Sequence, residues 1–182
     1  MAQMEKAFTK PNKGRGFTLI ELMVVISIIT ILSVMVFINQ RSSQSQYLIT
    51  QAVQKLTSDL RRTQNMAMSG TQIAGNYYGY GIYAERNNNF YIIFGDRNDN
   101  KKFDGEPTDT IIENIKLPSN VTISSVSPSD KVHVFFRPPD PLTSISDGTS
   151  DMTEASIVLV ISSGQSLSRT VKVTHAGLVE TQ

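Results

Sequence analysis

Gly16-Phe17-Thr18-Leu19-Ile20-Glu21, followed by an apolar run to Ile38, is the stretch whose reading decides the fold. From Phe17 to Ile38 it carries one charge, Glu21, and beyond that charge the polar groups are the small hydroxyls of Ser27, Thr30 and Ser33. As a helix, about 20 such residues cross the hydrocarbon core of a bilayer. A carboxylate inside such a segment costs roughly 2.5–3.5 kcal/mol at mid-helix and less toward an end. A charge kept there usually has a partner or a function. Glu21 lies in the first turn, where it also complements the positive end of the helix dipole. Nothing later in the chain is comparably apolar.

The pattern from Lys13 to about Ile38, with Gly-Phe-Thr-Leu-Ile-Glu at its head, resembles the prepilin-type signal of type IV pilins and type II secretion pseudopilins. The resemblance implies that a prepilin peptidase cuts between Gly16 and Phe17 and methylates the new amine of Phe17. It also implies that Glu21 attracts that amine on a neighbouring subunit, so that two costly buried charges neutralise each other. The partners it implies are other pilin or pseudopilin subunits, the peptidase/methyltransferase, an inner-membrane assembly platform and the lipid bilayer.

Residues 1–16 read as a polar, basic leader, with Lys6, Lys10, Lys13 and Arg15 against Glu5. They lack the internal hydrophobic region of a secretory signal peptide. Their charge keeps them cytoplasmic and points the C-terminal bulk to the periplasmic side of the inner membrane. Without them, 17 basic and 16 acidic side chains fall to a remainder of about −2. Phosphate binding rests on clustered Lys and Arg, so this balance disfavours a general nucleic-acid binder. There is no cysteine, which excludes disulfides, thiolate metal sites and thiol nucleophiles.

Beyond Asn39 the apolar pattern becomes a stripe, with Leu48, Ala52, Leu56 and Leu60 at steps of four beside Val53, Met66 and Ala67. That spacing predicts an amphipathic helix, with Gln51, Gln54, Lys55, Ser58, Asp59 and Arg62 expected off the stripe. No proline or glycine interrupts residues 17–69, and Gly70 is a stop signal. One fairly straight helix of about 53 residues, about 80 Å long, is expected. From residue 71 the period becomes two. Strands are predicted over 77–84, 90–94, 110–117, 121–126, 131–136, 155–162 and 168–175. Val171 and Val173 alternate with polar residues, whereas Ile157 to Ile161 is apolar on both parities and predicts a strand covered on both faces. Turn signals separate these runs, among them Ser163-Gly164-Gln165.

The predicted class is therefore α+β: a long N-terminal helix, membrane-spanning in its first half and amphipathic in its second, packed on an antiparallel β-sheet domain. The divisions are 1–16 (leader), 17–38 (membrane or filament-core helix), 39–70 (amphipathic continuation) and 71–182 (β-rich domain). The helix end around Leu60-Arg61-Arg62-Thr63 and the ending Arg169 to Val179 resemble the GspH/FimT branch of minor pilins and pseudopilins.

Asp96, Asn98, Asn100 and Asp104 occupy positions one, three, five and nine of an EF-hand-type loop, a spacing that can bring oxygens onto one Ca2+. Lys101 replaces the turn glycine and Pro107 the bidentate acid at position twelve, so the plainer expectation is a solvated turn and no required cofactor. His133 and His175 have no ligand spacing or nucleophile pair, and are expected to be structural or at the surface. The serines lack a Gly-x-Ser-x-Gly elbow, and no lysine-bearing phosphate loop is present. The chain therefore reads as a non-enzyme. The tyrosines at 77, 78, 80 and 83 are expected to pack in a sheet, and Arg137-Pro138-Pro139-Asp140-Pro141-Leu142 to form a stiff connector. The function expected is a filament subunit of a type IV pilus or type II secretion pseudopilus. The rival is a DNA-binding minor pilin of a competence pilus.

Overall fold

The computed structural model describes residues 16–70, 77–138, 143–161 and 167–182, the side chains of 37–42 excepted. The leader other than Gly16, the connector from Pro139 to Leu142 and the turn at 163–165 lie outside the described residues. The chain divides after Gln40 into two units. One helix, α1 (Leu19–Met68), contributes residues to both, and its bounds match the expected span to within two residues.

In the first unit, Leu19–Val36 is long and apolar enough to cross a membrane. Its apolar side chains are exposed on every side, from Leu19 and Ile20 through Val36. Hydroxyls in such a segment need acceptors, because hydrocarbon supplies none. Ser27, Thr30 and Ser33 each donate to the carbonyl one turn back, on Met23, Ile26 and Ile29, at 2.8, 2.7 and 2.7 Å.

In the second unit, α1 buries Ile49, Ala52, Val53, Leu56, Leu60 and Ala67, recurring at steps of three and four. Asp59 lies within this stripe, 1% exposed, which corrects its expected place on the solvent face. The residue is tolerable there because its charge is met. Tyr91 Oη donates to Oδ2 at 2.7 Å, and Lys55 Nζ reaches Oδ1 at 3.0 Å. Thr63, also buried, donates its hydroxyl to the Asp59 carbonyl at 2.7 Å.

The strands are β1 (Gly79–Glu85), β2 (Phe90–Asp96), β3 (Thr110–Lys116), β4 (Val121–Ser127), β5 (Lys131–Phe136), β6 (Thr143–Ser146), β7 (Asp151–Met152), β8 (Glu154–Ile161), β9 (Leu167–Thr174) and β10 (Val179–Thr181). They form two antiparallel sheets, ordered β3-β2-β1-β5-β6-β7 and β10-β9-β8-β4. The turn after β1 ties them together: Asn87 N–H donates to the Ile123 carbonyl at 2.7 Å, and Ile123 N–H to the Asn88 carbonyl at 2.9 Å. The α1 stripe and residues of both sheets share one core, including Ile82, Ile93, Val134, Ile157, Leu159 and Val171.

The expected α+β class holds, with a second difference in burial. β8 is an inner strand, but within its run from Ile157 to Ile161 only Ile157, Leu159 and Ile161 are fully buried. Val158 and Val160 are half-buried, because a strand turns alternate side chains to opposite faces and the core lies on one of them. The tyrosine cluster packs as a sheet element in part: Tyr80 is buried, Tyr77 and Tyr83 half-buried, and Tyr78 exposed. Gly79 and Gly81 leave room for the rings of Phe135 and Phe94. A Cβ on either would stand 2.4–2.5 Å from a ring carbon.

Tyr91→Phe removes the hydroxyl donor to a buried carboxylate. It is expected to cost about 1–3 kcal/mol, measured as a lowered urea midpoint with unchanged slope. An unaltered midpoint would show that the Asp59–Tyr91 bond does not hold α1 to β2.

Candidate assembly and binding sites

Gly16, Phe17 and Thr18 precede the first helical residue, and all three are exposed. Thr18 N–H donates to Glu21 Oε2 at 2.8 Å, its hydroxyl donates to the same oxygen at 2.9 Å, and Glu21 N–H donates back to Thr18 Oγ1 at 3.3 Å. This is a reciprocal capping box, in which the N-cap threonine and the N3 glutamate satisfy backbone donors that the helix itself cannot. Glu21 is thus held at the helix mouth by its own chain. No described residue bonds Oε1, which leaves one carboxylate oxygen for an outside cation.

Residues 97–109 cross the face of the six-stranded sheet turned away from α1. Phe103 packs there with Phe94, Ile92 and Phe135, in a second apolar cluster. Asp96, 0% exposed, organises the start of the loop. Its Oδ1 accepts from Asn98 N–H and Asp99 N–H at 3.0 and 2.8 Å, and Oδ2 accepts from Lys101 N–H at 2.8 Å. Asp109 closes the loop from the other end, accepting from Arg97 N–H at 3.2 Å and Asp104 N–H at 2.8 Å. Burial above all raises the Asp109 carboxyl above its ordinary range, with Asp96 and Asp104 adding to the rise against those two N–H donors. Lys101, at the position of the missing turn glycine, takes φ 66°.

Of the four calcium candidates, Asn98, Asn100 and Asp104 bring their side chains together, while Asp96 is turned to the backbone of the loop. Asn98 Oδ1 and Asn100 Oδ1 accept from Asn100 N–H and Lys102 N–H at 3.3 and 3.1 Å. Their amide nitrogens both face Asp104 Oδ2, at 3.2 Å from Asn98 and in close contact from Asn100. Among the described residues no group of three or more His, Asp or Glu side chains could hold a metal.

His133 was expected to be structural or at the surface, and it is buried, 2% exposed, beneath this loop. Its Nδ1 accepts from Phe103 N–H at 2.9 Å, so the ring proton sits on Nε2. That atom is buried without a hydrogen-bond partner among the described residues. The ring lies 5.0 Å from that of Tyr83, which itself stacks at 5.4 Å on Phe103. Burial, then Lys131, pushes the imidazole down to about 4, with Lys102 in the same direction and Asp104 and Asp147 opposing. His175 is exposed. It keeps the parity of Val171 and Val173, but β9 ends one residue before it and the chain turns.

A further site joins residues that lie far apart in sequence. A groove of about 1020 Å3 runs beside the second half of α1, with Arg61, Arg62, Asn65 and Met66 on one side and Arg169, Thr181 and Gln182 on the other. Arg62 binds Glu113 and faces Asp59 at 3.9 Å. No ion pair engages Arg61 or Arg169 among the described residues. Neither the helix pattern nor the terminal segment signals this groove, because its arginines come from separate elements.

Residues 11–37 match the model of the prokaryotic N-terminal methylation motif. The chain carries the type IV pilin/pseudopilin signal. That pilin signal implies processing by prepilin peptidase and assembly with other pilins, and it marks a family of structural subunits. With the apolar helix Leu19–Val36, it fits a membrane-anchored pilin. No curated protein and no solved structure matches the chain.

His133 makes stability depend on pH. Its folded value of about 4 lies below the ordinary 6.5, so its contribution is complete above pH 6.5 and is lost as pH falls through 4. The loss amounts to about 3 kcal/mol. Asp109, raised in the fold, acts oppositely, gaining stability as the solution turns acid. Urea midpoints should fall between pH 6.5 and 4, and His133→Gln, whose amide oxygen can still accept from Phe103 N–H, should flatten that fall. A slope of equal steepness in the variant would assign the acid sensitivity elsewhere. Calcium titration tests the loop: as a solvated turn, the plainer expectation, it should show an unchanged melting temperature. A rise that Asp104→Ala abolishes would restore the ion to Asp96, Asn98, Asn100 and Asp104.

Proposed function

We propose that this chain is a minor pilin or pseudopilin of the GspH/FimT type, cut between Gly16 and Phe17 and N-methylated on Phe17. It serves as a structural subunit of a type II secretion pseudopilus or type IV pilus. The observation that carries this reading is the Thr18–Glu21 box at the head of an apolar helix exposed on all sides. An exposed apolar surface of that extent demands lipid or other apolar helices. Before assembly the bilayer supplies it, with the leader in the cytoplasm and residues 41–182 on the far side of the inner membrane. After processing, equivalent helices supply it in the fibre. The assembly platform of the inner membrane carries the subunit from one setting to the other.

In this reading Glu21 has two duties. One oxygen caps its own helix through Thr18, and the other receives the Phe17 ammonium of a neighbour. The pair neutralises two charges in a medium where either alone is expensive. Calcium at Asp96, Asn98, Asn100 and Asp104 requires the amide oxygens of both asparagines to face Asp104 in place of the nitrogens that now do. A DNA-binding minor pilin is the second reading. The three arginines along the groove favour it, and the mature balance of about −2 opposes it.

When the chain is made with a prepilin peptidase, intact-mass measurement should show it beginning at a methylated Phe17. Glu21→Gln keeps an N3 acceptor for the capping box and deletes the charge. That variant should insert and be cut normally, yet enter fibres about tenfold or more poorly, as when one partner of a buried ion pair is removed. Entry at the normal level would leave Glu21 as a helix cap and nothing else.

A further inference from the structure

The groove beside α1 has two properties that together specify an occupant. The first is an open strand edge. β10 ends the sheet β10-β9-β8-β4. It pairs with β9 through the register Val179↔Val173, Glu180↔Lys172 and Thr181↔Val171. Gln182 and Thr170 exchange N–H to carbonyl bonds at 2.9 Å each, and Thr174 N–H donates to the Leu178 carbonyl at 3.0 Å. In an antiparallel ladder the bonded positions alternate. Residues 178, 180 and 182 therefore turn their backbone groups inward, and Val179 and Thr181 turn theirs outward. No described strand takes up these outward groups. Such an edge templates an added strand.

The second property is charge. Arg61, Arg62 and Arg169 line the groove, and among the described residues no acidic side chain does. Arg62 is engaged with Glu113 and Asp59. Arg61 and Arg169 are exposed, and no described carboxylate pairs with either. A guanidinium fork suits a carboxylate in two parallel bonds. Asn65 adds amide groups of the kind that match a peptide backbone. No aromatic ring lines the groove, so it lacks the stacking platform by which single-stranded nucleic acid is held.

We propose that this groove receives an extended, acidic segment of a partner polypeptide, added as a strand along β10 with its carboxylates on Arg61 and Arg169. The site lies wholly within residues 41–182 and is independent of Glu21. It therefore stands whether or not the N-terminal helix assembles as described above. Its role is recognition: the strand edge demands an extended backbone, and the arginines select its charge.

The test uses the full-length protein in detergent micelles and a fluorescent peptide of about eight alternating Glu and Val residues, the length of a strand. Its Lys-Val counterpart and an oligothymidylate of similar reach serve as comparators. The Glu-Val peptide should bind, more weakly as salt rises, and the Lys-Val peptide should not. Methylating alternate peptide nitrogens should abolish binding by removing the donors to β10. Arg61→Ala and Arg169→Ala should each weaken binding about threefold, with melting temperatures unchanged because both side chains are exposed. No binding by the Glu-Val peptide, equal binding by the Lys-Val peptide, or indifference to both arginine variants would overturn the proposal. Tighter binding of oligothymidylate, lost in the same variants, would overturn it in favour of nucleic acid.

Discussion

A carboxylate buried in the middle of an apolar helix face is the constraint around which the second unit is arranged. Asp59 is flanked by Leu56 and Leu60 and nearly fully enclosed. An unmet charge there would cost several kcal/mol. Tyr91 on β2 and Lys55 one turn back meet it, and Arg62 approaches it while binding Glu113 on β3. The apolar stripe can slide on a sheet at little cost, since hydrophobic burial has no direction. A hydrogen bond from a buried tyrosine cannot slide. The pair therefore sets the register of α1 on the six-stranded sheet, and the apolar stripe supplies most of the adhesion.

The first unit faces the opposite problem. It has no interior, and all its apolar side chains between Leu19 and Val36 face outward. Among its described residues the polar side chains are met locally: three hydroxyls bond back along the helix, and Glu21 and Thr18 close the first turn. A segment that meets its own hydrogen-bonding needs can change its apolar surroundings without exposing a polar group. That property suits a subunit leaving lipid for a bundle of like helices. The remaining carboxylate oxygen of Glu21 is the exception, and it is the atom through which specificity for a neighbour's amine enters the proposal.

The loop 97–109 shows how an acidic, asparagine-rich segment is folded onto the outer face of a sheet. Asp96 and Asp109 gather backbone N–H groups from both ends, and Phe103 anchors the middle over Phe94 and beside His133. The loop thereby covers Ile92, Phe94 and Phe135, which would otherwise be exposed on the outer face of the sheet.

Much of this was legible in the residues themselves. Periodicity and the absence of proline or glycine mark α1, Gly70 marks its end, and apolar runs between turn signals mark the seven longer strands. The head of the apolar run was legible through the resemblance of Gly16-Phe17-Thr18-Leu19-Ile20-Glu21 to the pilin signal, and residues 11–37 match that motif. The short strands β6, β7 and β10 escaped, because Thr143-Ser144-Ile145-Ser146 and Val179-Glu180-Thr181 are too brief to show a period. Their pairing depends on neighbours already in place. Asp59 read as a solvent residue because nothing local reveals Tyr91, 32 positions away, as its donor. The burial of His133 and the meeting of Arg61 with Arg169 across a groove are likewise products of tertiary structure. A sequence window reports what a residue is and how often its kind recurs, and so determines elements. Which distant charge, ring or hydroxyl comes to lie against it is decided only when those elements pack.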